Sequence, residues 1–188
     1  NANKKQLKQI RSEIGMIFQT FNLVNRSTVL KNVLTGRLSK VSTIRSIFGL
    51  WPKDQKQMAF EALNQVEILE KAYVRASNLS GGQQQRVGIA RALSQKPKVM
   101  LADEPVASLD PITSRVVMSY LKKINKELGI TTIVNLHFLD LAKEFGDRLI
   151  GLRDGELVYD GKVDDVSDED FENIYGRSIK QSDLIGND

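Results

Sequence analysis

The second half of the chain alternates short apolar runs with longer amphipathic stretches. The runs "KVMLADEP" and "ITTIVNL" predict buried strands, and "PITSRVVMSYLKKINKELG" between them predicts a helix that Gly129 ends. A helix over "LDLAKEFG" and two strands, "RLIGL" and "ELVYDG", follow, with an Asp154-Gly155 turn between the strands. Continuous apolar strands that alternate with helices are typical of a parallel sheet with helices packed on its faces. The pattern therefore predicts an α/β core.

The first half of the chain has a mainly helical pattern. A short apolar strand is predicted over 12–19, and the helix that follows has Ser27 or Thr28 as its cap. Amphipathic helices are predicted over 53–72 and 80–94. The apolar stripe expected on the first of these two consists of Met58, Ala62, Val66 and Leu69.

Composition excludes several classes of protein. The 188 residues are 41% hydrophobic and 27% charged, which is ordinary for a globular chain. No apolar run approaches the roughly 20 residues that a membrane-spanning helix needs. The absence of cysteine excludes a disulfide scaffold, a thiolate zinc site and cysteine catalysis. The polar, basic N-terminus lacks the pattern of a signal peptide, so we expect a cytosolic setting.

The charge distribution is less decisive. The net charge of +4 is spread along the chain, whereas a nucleic-acid-binding protein would have a denser basic face with interleaved aromatic residues. We therefore expect no nucleic-acid partner. The mild excess of basic residues would also suit a surface near anionic lipid.

The stretch "LSGGQQQRVGIARAL" combines a glycine pair with a helix start. Ser80 can cap the helix, and Gln83 can complete a capping box by reaching back to the Ser80 amide. Gly81 and Gly82 have no Cβ, so their N–H groups can approach a ligand closely, and helix N-termini commonly bind phosphate. The alternative is a glycine-rich turn before a core helix, whose buried stripe would be Ile89, Ala90 and Leu93.

Charged and titratable residues follow two of the predicted strands. Asp103 and Glu104 come directly after "VMLA", and His137, the only histidine, follows "ITTIVNL". Ligand sites of open α/β sheets lie at the carboxyl ends of the strands. An aspartate that binds hydrated Mg²⁺ and a glutamate that polarises water would suit phosphoryl transfer. The alternatives are a strand that simply exits into solvent and a structural histidine.

Two further polar positions have both functional and structural interpretations. Gln19 ends the first predicted strand, where its amide can reach a metal ion or water, or merely begin a loop. Asp110 in "SLD" lies just past the carboxylates and can equally be the N-cap of a helix that begins at Pro111.

In this order, these motifs resemble the nucleotide-binding domain of ABC transporters. The resemblance rests on Gln19, "LSGGQ" (79–83), "VMLADE" (99–104), "SLD" (108–110) and His137. In the family's terms they match the Q-loop, the signature motif, the Walker B strand with its catalytic Glu, the D-loop and the switch His. The resemblance covers about residues 12–160. It implies a P-loop NTPase-like (RecA-like) parallel-sheet core with an all-helical subdomain that carries the signature motif.

The resemblance also implies roles for the site residues. ATP would be sandwiched between two copies of the domain, and the signature turn of one copy would contact the γ-phosphate bound by the other. The nucleotide-contacting set implied in this way is Gln19, Ser80, Gly81, Gly82, Gln83 and Asp110. Asp103 and Gln19 would bind Mg²⁺, Glu104 would act on the attacking water, and His137 would contact the γ-phosphate. Membrane permease subunits would be partners through the helical subdomain, and a substrate-binding protein would be an indirect partner.

A narrower resemblance concerns the transported solute. "ADEPVASLDP", "TTIVNLH" and "LTGRLSKVSTIRSIFGLWPKD" are similar to the ATPase subunit of bacterial phosphonate importers. That similarity implies a peripheral protein on the cytoplasmic side of the membrane. The alternatives are an importer ATPase for another small solute such as an amino acid, a non-transport ABC protein that acts on DNA or ribosomes, and a noncatalytic scaffold that completes a partner's site.

The sequence departs from the family pattern in one respect. The P-loop pattern G-x-x-x-x-G-K-[ST] does not occur, because the only Gly-Lys pair, Gly161-Lys162, is followed by valine and has no glycine five residues earlier. The N-terminal antiparallel strands of the family and its adenine-stacking aromatic residue are also missing. We therefore expect that residue 1 lies downstream of the P-loop in a longer protein, and that these 188 residues alone are inactive.

The motifs predict a division of the chain into four parts. Residues 1–19 would be a remnant of an N-terminally incomplete core, up to the Q-loop, and 20–95 the helical subdomain. Residues 96–162 would be the α/β core with Walker B, D-loop and switch His. The acidic residues 163–188 would form a short helix capped near Ser167 and a mobile, solvated tail.

Overall fold

The core of the protein is a parallel sheet of three strands. The computed structural model describes residues 3–185. Strands β1 (Ile14–Ile17), β2 (Val99–Asp103) and β3 (Thr131–Asn135) lie in the order β1-β2-β3, so that β2 is central. All pairs are parallel, with Ile17 opposite Ala102 and Asp103 opposite Asn135. The carboxyl ends of the three strands therefore lie along one edge of the sheet, as the sequence pattern predicts.

Helices of the first half of the chain form a second packing unit. It contains α2 (Val29–Thr35), α4 (Lys53–Gln65) and α5 (Gly81–Ser94), which contact one another, and α5 also contacts β1. Thr28 caps α2, which decides between the two predicted caps. The fully buried residues of this unit include Val29, Val33, Leu63, Val87 and Ile89. Two further helices belong to the first half of the chain, α1 (Lys4–Glu13), which contacts β1, and the five-residue α3 (Thr43–Ile47).

A buried arginine ties the helical unit together. Arg37 is almost completely buried, and its Nε donates a 2.7 Å hydrogen bond to the side-chain oxygen of Gln55. One of its terminal nitrogens donates a second bond of 2.7 Å to the main-chain oxygen of Ser94, at the end of α5. Burial lowers the pKa of Arg37, although an arginine remains protonated at neutral pH. The hydrogen bonds therefore satisfy a cation that the surrounding helices remove from water.

Two predicted elements differ from the structure in length. The first strand occupies only Ile14–Ile17, because Ser12 and Glu13 belong to α1 and Gln19 lies in a turn beyond the strand. The helix predicted over 53–72 ends at Gln65.

The early end of α4 has a tertiary cause. Glu67 adopts a left-handed conformation with φ 53°. Arg86, from α5, donates hydrogen bonds to the main-chain oxygens of Val66 and Glu67, which satisfies carbonyl groups at the helix end. The predicted stripe is therefore only partly right, since Ala62 and Val66 are buried but Met58 is half-buried and Leu69 is exposed.

The second half of the chain follows the predicted order closely. Helix α6 (Pro111–Leu128) ends at Gly129, which has φ 64°, and α7 (Leu139–Phe145) follows β3. Strands β4 (Arg148–Arg153) and β5 (Glu156–Lys162) form a separate antiparallel hairpin. Its turn residues Asp154 and Gly155 have φ values of 52° and 84°, as a two-residue hairpin turn requires.

The acidic C-terminal segment makes more contacts with the rest of the fold than a solvated tail would. Helix α8 (Asp168–Tyr175) begins at the predicted cap, Ser167, and packs on the hairpin. Beyond it, Asp183 accepts two hydrogen bonds from Arg177, of 2.7 and 2.8 Å. The N–H of the buried Ile185 donates a 3.0 Å bond to the Asp140 carboxylate on α7. The segment up to residue 185 therefore packs on the fold and is not fully solvated, whereas its predicted mobility stays a prediction and 186–188 lie outside the described residues.

Between residues 3 and 185 there is no helix whose length and apolar character would let it cross a membrane. The sequence leads to the same result, since it contains no long apolar run. The four-part division at residues 19, 95 and 162 stays a prediction.

Candidate functional site

Polar residues from two neighbouring strands meet at the carboxyl edge of the sheet. Asp103 ends β2 and Asn135 ends β3, directly opposite each other in the parallel register. The Asn135 side-chain amide donates a 3.0 Å hydrogen bond to Oδ1 of Asp103. The main-chain N–H of Glu104 donates to the main-chain oxygen of Asn135, at 3.2 Å. The hydrogen bonding between β2 and β3 therefore continues one residue past β2. Together these bonds position the carboxylates of Asp103 and Glu104.

Glu104 and His137 are in direct contact. The distance from Nε2 of His137 to Oε1 of Glu104 is 2.5 Å, although the residues are 33 positions apart in the sequence. Glu104 is half-buried, whereas the ring of His137 is exposed. A carboxylate and an imidazole at hydrogen-bonding distance can exchange or share a proton and can together orient a water molecule. The two residues predicted to be catalytic are therefore brought together by the fold.

The backbone at Glu104 is strained. Its φ of 44° lies in the left-handed region, which costs a residue with a side chain roughly 1–3 kcal/mol. The N–H···O bond to Asn135 and the turn bond from the Ala107 N–H to the Glu104 carbonyl hold the backbone in this conformation. Strained residues of this kind cluster at active sites, ligand clamps and switch regions.

The signature turn has the predicted capping box. Ser80 caps α5: the N–H of Gln83 donates to the Ser80 hydroxyl at 3.4 Å, and the N–H of Ser80 donates to the Gln83 side chain at 3.1 Å. The predicted buried stripe of Ile89, Ala90 and Leu93 is also confirmed. The phosphate-binding and the core-helix interpretations of this stretch are thus compatible, because the turn is exposed at Ser80 while the helix packs behind it.

The glycine pair packs closely against the segment that follows the carboxylates. A Cβ on Gly82 would lie 2.2 Å from Cγ2 of Thr113, and one on Gly81 would lie 3.2 Å from Cδ2 of Leu109. Gly82 is buried and Gly81 is half-buried. The absence of a side chain at Gly82 is therefore required by packing within the chain. A role of either N–H group in ligand binding stays a prediction.

Asp110 caps a helix, which is one of the two interpretations that the sequence allows. It is the N-cap of α6, and the N–H of Thr113 donates a 3.0 Å hydrogen bond to its Oδ1. Hydrogen bonds from Thr113, first from the side chain and then from the main chain, hold the pKa of the Asp110 carboxyl below its ordinary value. Its carboxylate therefore remains charged at the helix N-terminus. Any contact of Asp110 with a nucleotide stays a prediction.

Gln19 leaves the sheet at the same edge as Asp103. It is exposed in the turn that follows β1, the strand that pairs with β2. The next residues are anchored to α5, because Arg91 donates hydrogen bonds to the main-chain oxygens of Phe21 and Asn22. Both of these residues have positive φ, of 56° and 50°. The Gln19 loop and the signature helix are therefore mechanically linked, which places the Q-loop candidate beside the helical unit.

Sequence reasoning missed three contributors to this arrangement. Asn135 could have been found, since the ends of adjacent parallel strands lie side by side and an amide there can bind a carboxylate. Arg91 and Tyr175 gave no signal in the sequence. The Tyr175 hydroxyl, on α8, donates a 2.7 Å hydrogen bond to the main-chain oxygen of His137.

The first part of the chain matches a family model. The model described as ABC transporter matches residues 1–107. The chain belongs to the ABC transporter family. This confirms the recognition made from the Q-loop, signature and Walker B motifs.

Two relatives show how close the similarity is within the family. The chain is 59% identical over 184 residues to "Phosphonates import ATP-binding protein PhnC 3" of Halalkalibacterium halodurans, which covers 98% of this chain and 71% of that protein. It is 60% identical over 185 residues to "Phosphonates import ATP-binding protein PhnC" of Shouchella clausii, with 98% and 70% covered.

Solved structures confirm the fold class. A dimeric ATP-binding cassette in a post-hydrolysis state, bound to ADP and Pi, is similar with a TM-score of 0.68 and 38% identity, over 87% of this chain and 68% of that one. The cbiO1 protein of Clostridium perfringens, part of the ABC transporter complex cbiONQ, has a TM-score of 0.76 and 27% identity, over 94% and 64% of the chains. This member of the ABC transporter family therefore has the P-loop NTPase-like α/β fold of ABC cassettes.

Proposed function

We propose that this protein is the ATP-hydrolysing subunit of an importer and that the imported solutes are phosphonates. The observation that carries the hydrolytic part is the direct contact of Glu104 with His137 at the carboxyl edge of the sheet. The identity of the solute is inferred from the high sequence identity to phosphonate import proteins.

Glu104 is the proposed acceptor for the attacking water. Its carboxylate is held by a strained backbone at the strand end, and a water on its outer side would donate a hydrogen bond to it. His137 also contacts Glu104, and its exposed ring would contact the γ-phosphate. Movement of the ring from the carboxylate to the phosphate would leave the carboxylate available to the water.

Asp103 is suited to bind Mg²⁺. Its side chain is exposed at the strand end, and the Asn135 amide fixes one of its two oxygens. No cluster of three or more potential metal-binding side chains occurs among residues 3–185. A Mg²⁺ ion that travels with a nucleotide needs only one or two carboxylates, since phosphate oxygens and water supply the rest. When bound, the ion would neutralise charge on the β- and γ-phosphates, and Gln19 would reach it from the turn that follows β1.

The signature turn would act on a second copy of the subunit. Ser80 and Gln83 are accessible at the N-terminus of α5, where helix N–H groups favour an anion. In a dimer of two such subunits, this turn and the adjacent Asp110 segment would complete the nucleotide site of the partner copy. The Gln19 loop, bonded to α5 through Arg91, would connect the site to permease subunits that contact the helical unit. A substrate-binding protein would take part only indirectly, and the assembly would lie on the cytoplasmic side of the membrane.

The test compares ATP hydrolysis in the full-length protein for the wild type and two variants. We expect Glu104→Gln to lower the rate at least about 100-fold, as the loss of a general base does, while ATP-dependent dimers persist. We expect His137→Ala to lower it strongly as well. Glu156→Gln, at an exposed position of the hairpin, is the matched control and should retain the wild-type rate. Turnover near the wild type in Glu104→Gln would remove Glu104 from this role.

Binding and solute specificity need two separate measurements. Calorimetric titration of the 188-residue chain with Mg²⁺-ATP measures whether these residues hold a nucleotide without a P-loop sequence. Stimulation of hydrolysis in the assembled transporter by a phosphonate, compared with an amino acid, tests the solute. Stimulation by the amino acid and not by the phosphonate would replace the proposed solute but keep the ATPase.

A further inference from the structure

Four large apolar side chains are exposed together on the short helix α3 and the residues that follow it. Ile44, Ile47 and Phe48 are 71%, 74% and 73% exposed, and Leu50 is 64% exposed. Residues 44, 47 and 48 have the spacing of neighbours on one helix face. We call these four residues the α3 patch. Exposed apolar patches rimmed by polar residues mark sites of contact with a protein or a membrane.

The backbone under the α3 patch is well held. Ser42 caps α3, the N–H of Phe48 donates to the Ile44 carbonyl at 3.2 Å, and the N–H of Leu50 donates to the Arg45 carbonyl at 2.8 Å. Trp51, the next residue, is half-buried and packs against the hydrophobic core. The segment is therefore fixed at its base while its apolar side chains point to solvent.

Basic residues flank the α3 patch in the sequence, without acidic residues between them. No aspartate or glutamate occurs from residue 14 to residue 53, whereas this stretch contains Arg26, Lys31, Arg37, Lys40, Arg45 and Lys53. Arg37 is buried, but Lys40, Arg45 and Lys53 are exposed close to the patch in sequence. None of these three forms a salt bridge with any residue between 3 and 185. Asp54, the nearest carboxylate in sequence, accepts a hydrogen bond from Gln55.

We propose that the α3 patch is a membrane-contact surface, in which Ile44, Ile47, Phe48 and Leu50 enter the headgroup region of an anionic bilayer. Lys40, Arg45 and Lys53 contact the lipid phosphates. An apolar face flanked by cations is the combination that holds a segment at the interface of an anionic membrane. The proposal goes beyond the proposed function, which requires only that permease subunits contact the helical unit.

The chemistry of the patch favours a lipid surface over a protein groove. The hydroxyl of Ser46 on α3 donates to the Thr43 carbonyl, and the hydroxyl of the cap residue Ser42 accepts from the Arg45 N–H. The patch thus offers apolar area and positive charge but few directional hydrogen-bonding groups. A fluid layer of anionic headgroups needs no fixed register, whereas a specific protein partner is usually aligned by hydrogen bonds at the rim.

The test is flotation of the 188-residue chain with lipid vesicles. The vesicles consist of phosphatidylcholine alone or of an equimolar mixture with phosphatidylglycerol. We expect binding to the anionic vesicles, at least about tenfold weaker binding to the neutral ones, and weakening by salt that screens exposed charges. The fluorescence of Trp51, the only tryptophan, should shift to shorter wavelength on binding, and lipids brominated in the acyl chain should quench it.

Variants separate the apolar and the charged contributions. The double substitution Ile47→Ser with Phe48→Ser should lower binding to anionic vesicles at least about tenfold, since it removes most of the inserted area. The triple substitution of Lys40, Arg45 and Lys53 by Gln should abolish the difference between the two vesicle types. The matched control, Leu152→Ser with Leu157→Ser on the exposed hairpin, should bind like the wild type. Thermal melting confirms that each variant is folded.

Three outcomes would overturn the proposal. The first is that the wild type does not bind anionic vesicles. The second is that the α3 variants bind as well as the wild type or that the hairpin control loses binding equally. The third is a change of oligomeric state or of permease assembly in the α3 variants without any vesicle binding, which would assign the patch to a protein partner. Each of these results is independent of ATP hydrolysis, so failure here is distinguishable from failure of the proposed function.

Discussion

The hydroxyl of Tyr175 donates a 2.7 Å hydrogen bond to the main-chain oxygen of His137. The two residues are 38 positions apart, and Tyr175 lies at the end of α8, in the acidic segment whose role the sequence leaves open. Burial raises the pKa of Tyr175, so its hydroxyl stays protonated and able to donate at neutral pH. The C-terminal segment therefore supports the backbone of the histidine that contacts Glu104.

Tyr175→Phe removes this donor and keeps the aromatic ring. We expect a loss of about 0.5–1.5 kcal/mol in the free energy of unfolding, as for a typical hydrogen bond. We also expect the Hε1 resonance of His137, which is unmistakable because the chain has one histidine, to shift or broaden. Tyr159→Phe is the control, since that hydroxyl bonds to the Lys162 carbonyl on the hairpin. If both variants leave the His137 resonance unchanged, Tyr175 does not position the histidine.

Gly82→Ala tests the contact between the signature turn and α6. The new Cβ would lie 2.2 Å from Cγ2 of Thr113, and such overpacking costs about 1–3 kcal/mol. Thr113→Ser removes that methyl group, and the next nearest atom, the Thr113 Cβ, is 3.6 Å away. We therefore expect the double variant to recover most of the stability lost in Gly82→Ala, as measured by urea denaturation.

Gly81→Ala is the companion measurement. Its Cβ would lie 3.2 Å from the end of the flexible Leu109 side chain, so a smaller loss is expected than at Gly82. Equal losses at both glycines, or no recovery in the double variant, would mean that Thr113 does not limit the packing at Gly82.

Gln85→Met tests a buried amide. Gln85 is fully buried in α5, and within residues 3–185 neither its Nε2 nor its Oε1 has a hydrogen-bond partner. A buried polar group without a partner costs about 1–3 kcal/mol, and methionine has nearly the same shape. We expect the free energy of unfolding to rise by about 1 kcal/mol or more. Gln57→Met, at an exposed position of α4, should have little effect. Destabilisation by Gln85→Met would instead indicate an ordered water on the amide.

Asp183→Asn tests the ion pair that fixes the C-terminal segment. Hydrogen bonds from Arg177, and then from the Lys180 N–H, lower the pKa of Asp183 to about 2. Because the folded-state pKa lies below the ordinary value of about 3.9, Asp183 stabilises the fold above that value, and the contribution is lost as the pH falls from about 5 to about 2. The variant should therefore melt at lower temperature than the wild type at pH 7.

The pH dependence distinguishes this ion pair from a general effect of charge. The difference in melting temperature between the wild type and Asp183→Asn should shrink steadily as the pH is lowered towards 2. Asp164→Asn, at an exposed position of the same acidic segment, should melt like the wild type at every pH. If the difference in melting temperature between the wild type and Asp183→Asn did not depend on pH, the loss of stability would come from a change in packing and not from the charge of Asp183.

Much of the site could be located from the sequence because its residues lie at or just after the ends of strands. Asp103, Glu104 and His137 follow continuous apolar runs, and parallel pairing brings such ends to one edge. The early end of α4 could not be predicted, since its apolar pattern continues to Leu69 while Arg86, from a different helix, satisfies the carbonyls at Val66 and Glu67. The contacts of the C-terminal segment escaped prediction for a similar reason, because Ile185 binds the carboxylate of Asp140, which lies 45 positions earlier in the chain.

The sequence by itself determined the α/β class, the helix caps at Ser80 and Ser167 and the turn at Asp154-Gly155, because these depend on residue type and short-range spacing. It also carried the ordered motifs on which the resemblance to the family rests. The tertiary structure alone decided which groups touch. Three contacts join segments that are far apart in the chain: Glu104 with His137, Tyr175 with His137, and Gly82 with Thr113. The strained backbone at Glu104 likewise depends on its bond to the neighbouring strand. Such contacts follow from the packing of whole elements, and the local pattern of apolar and polar residues does not encode them.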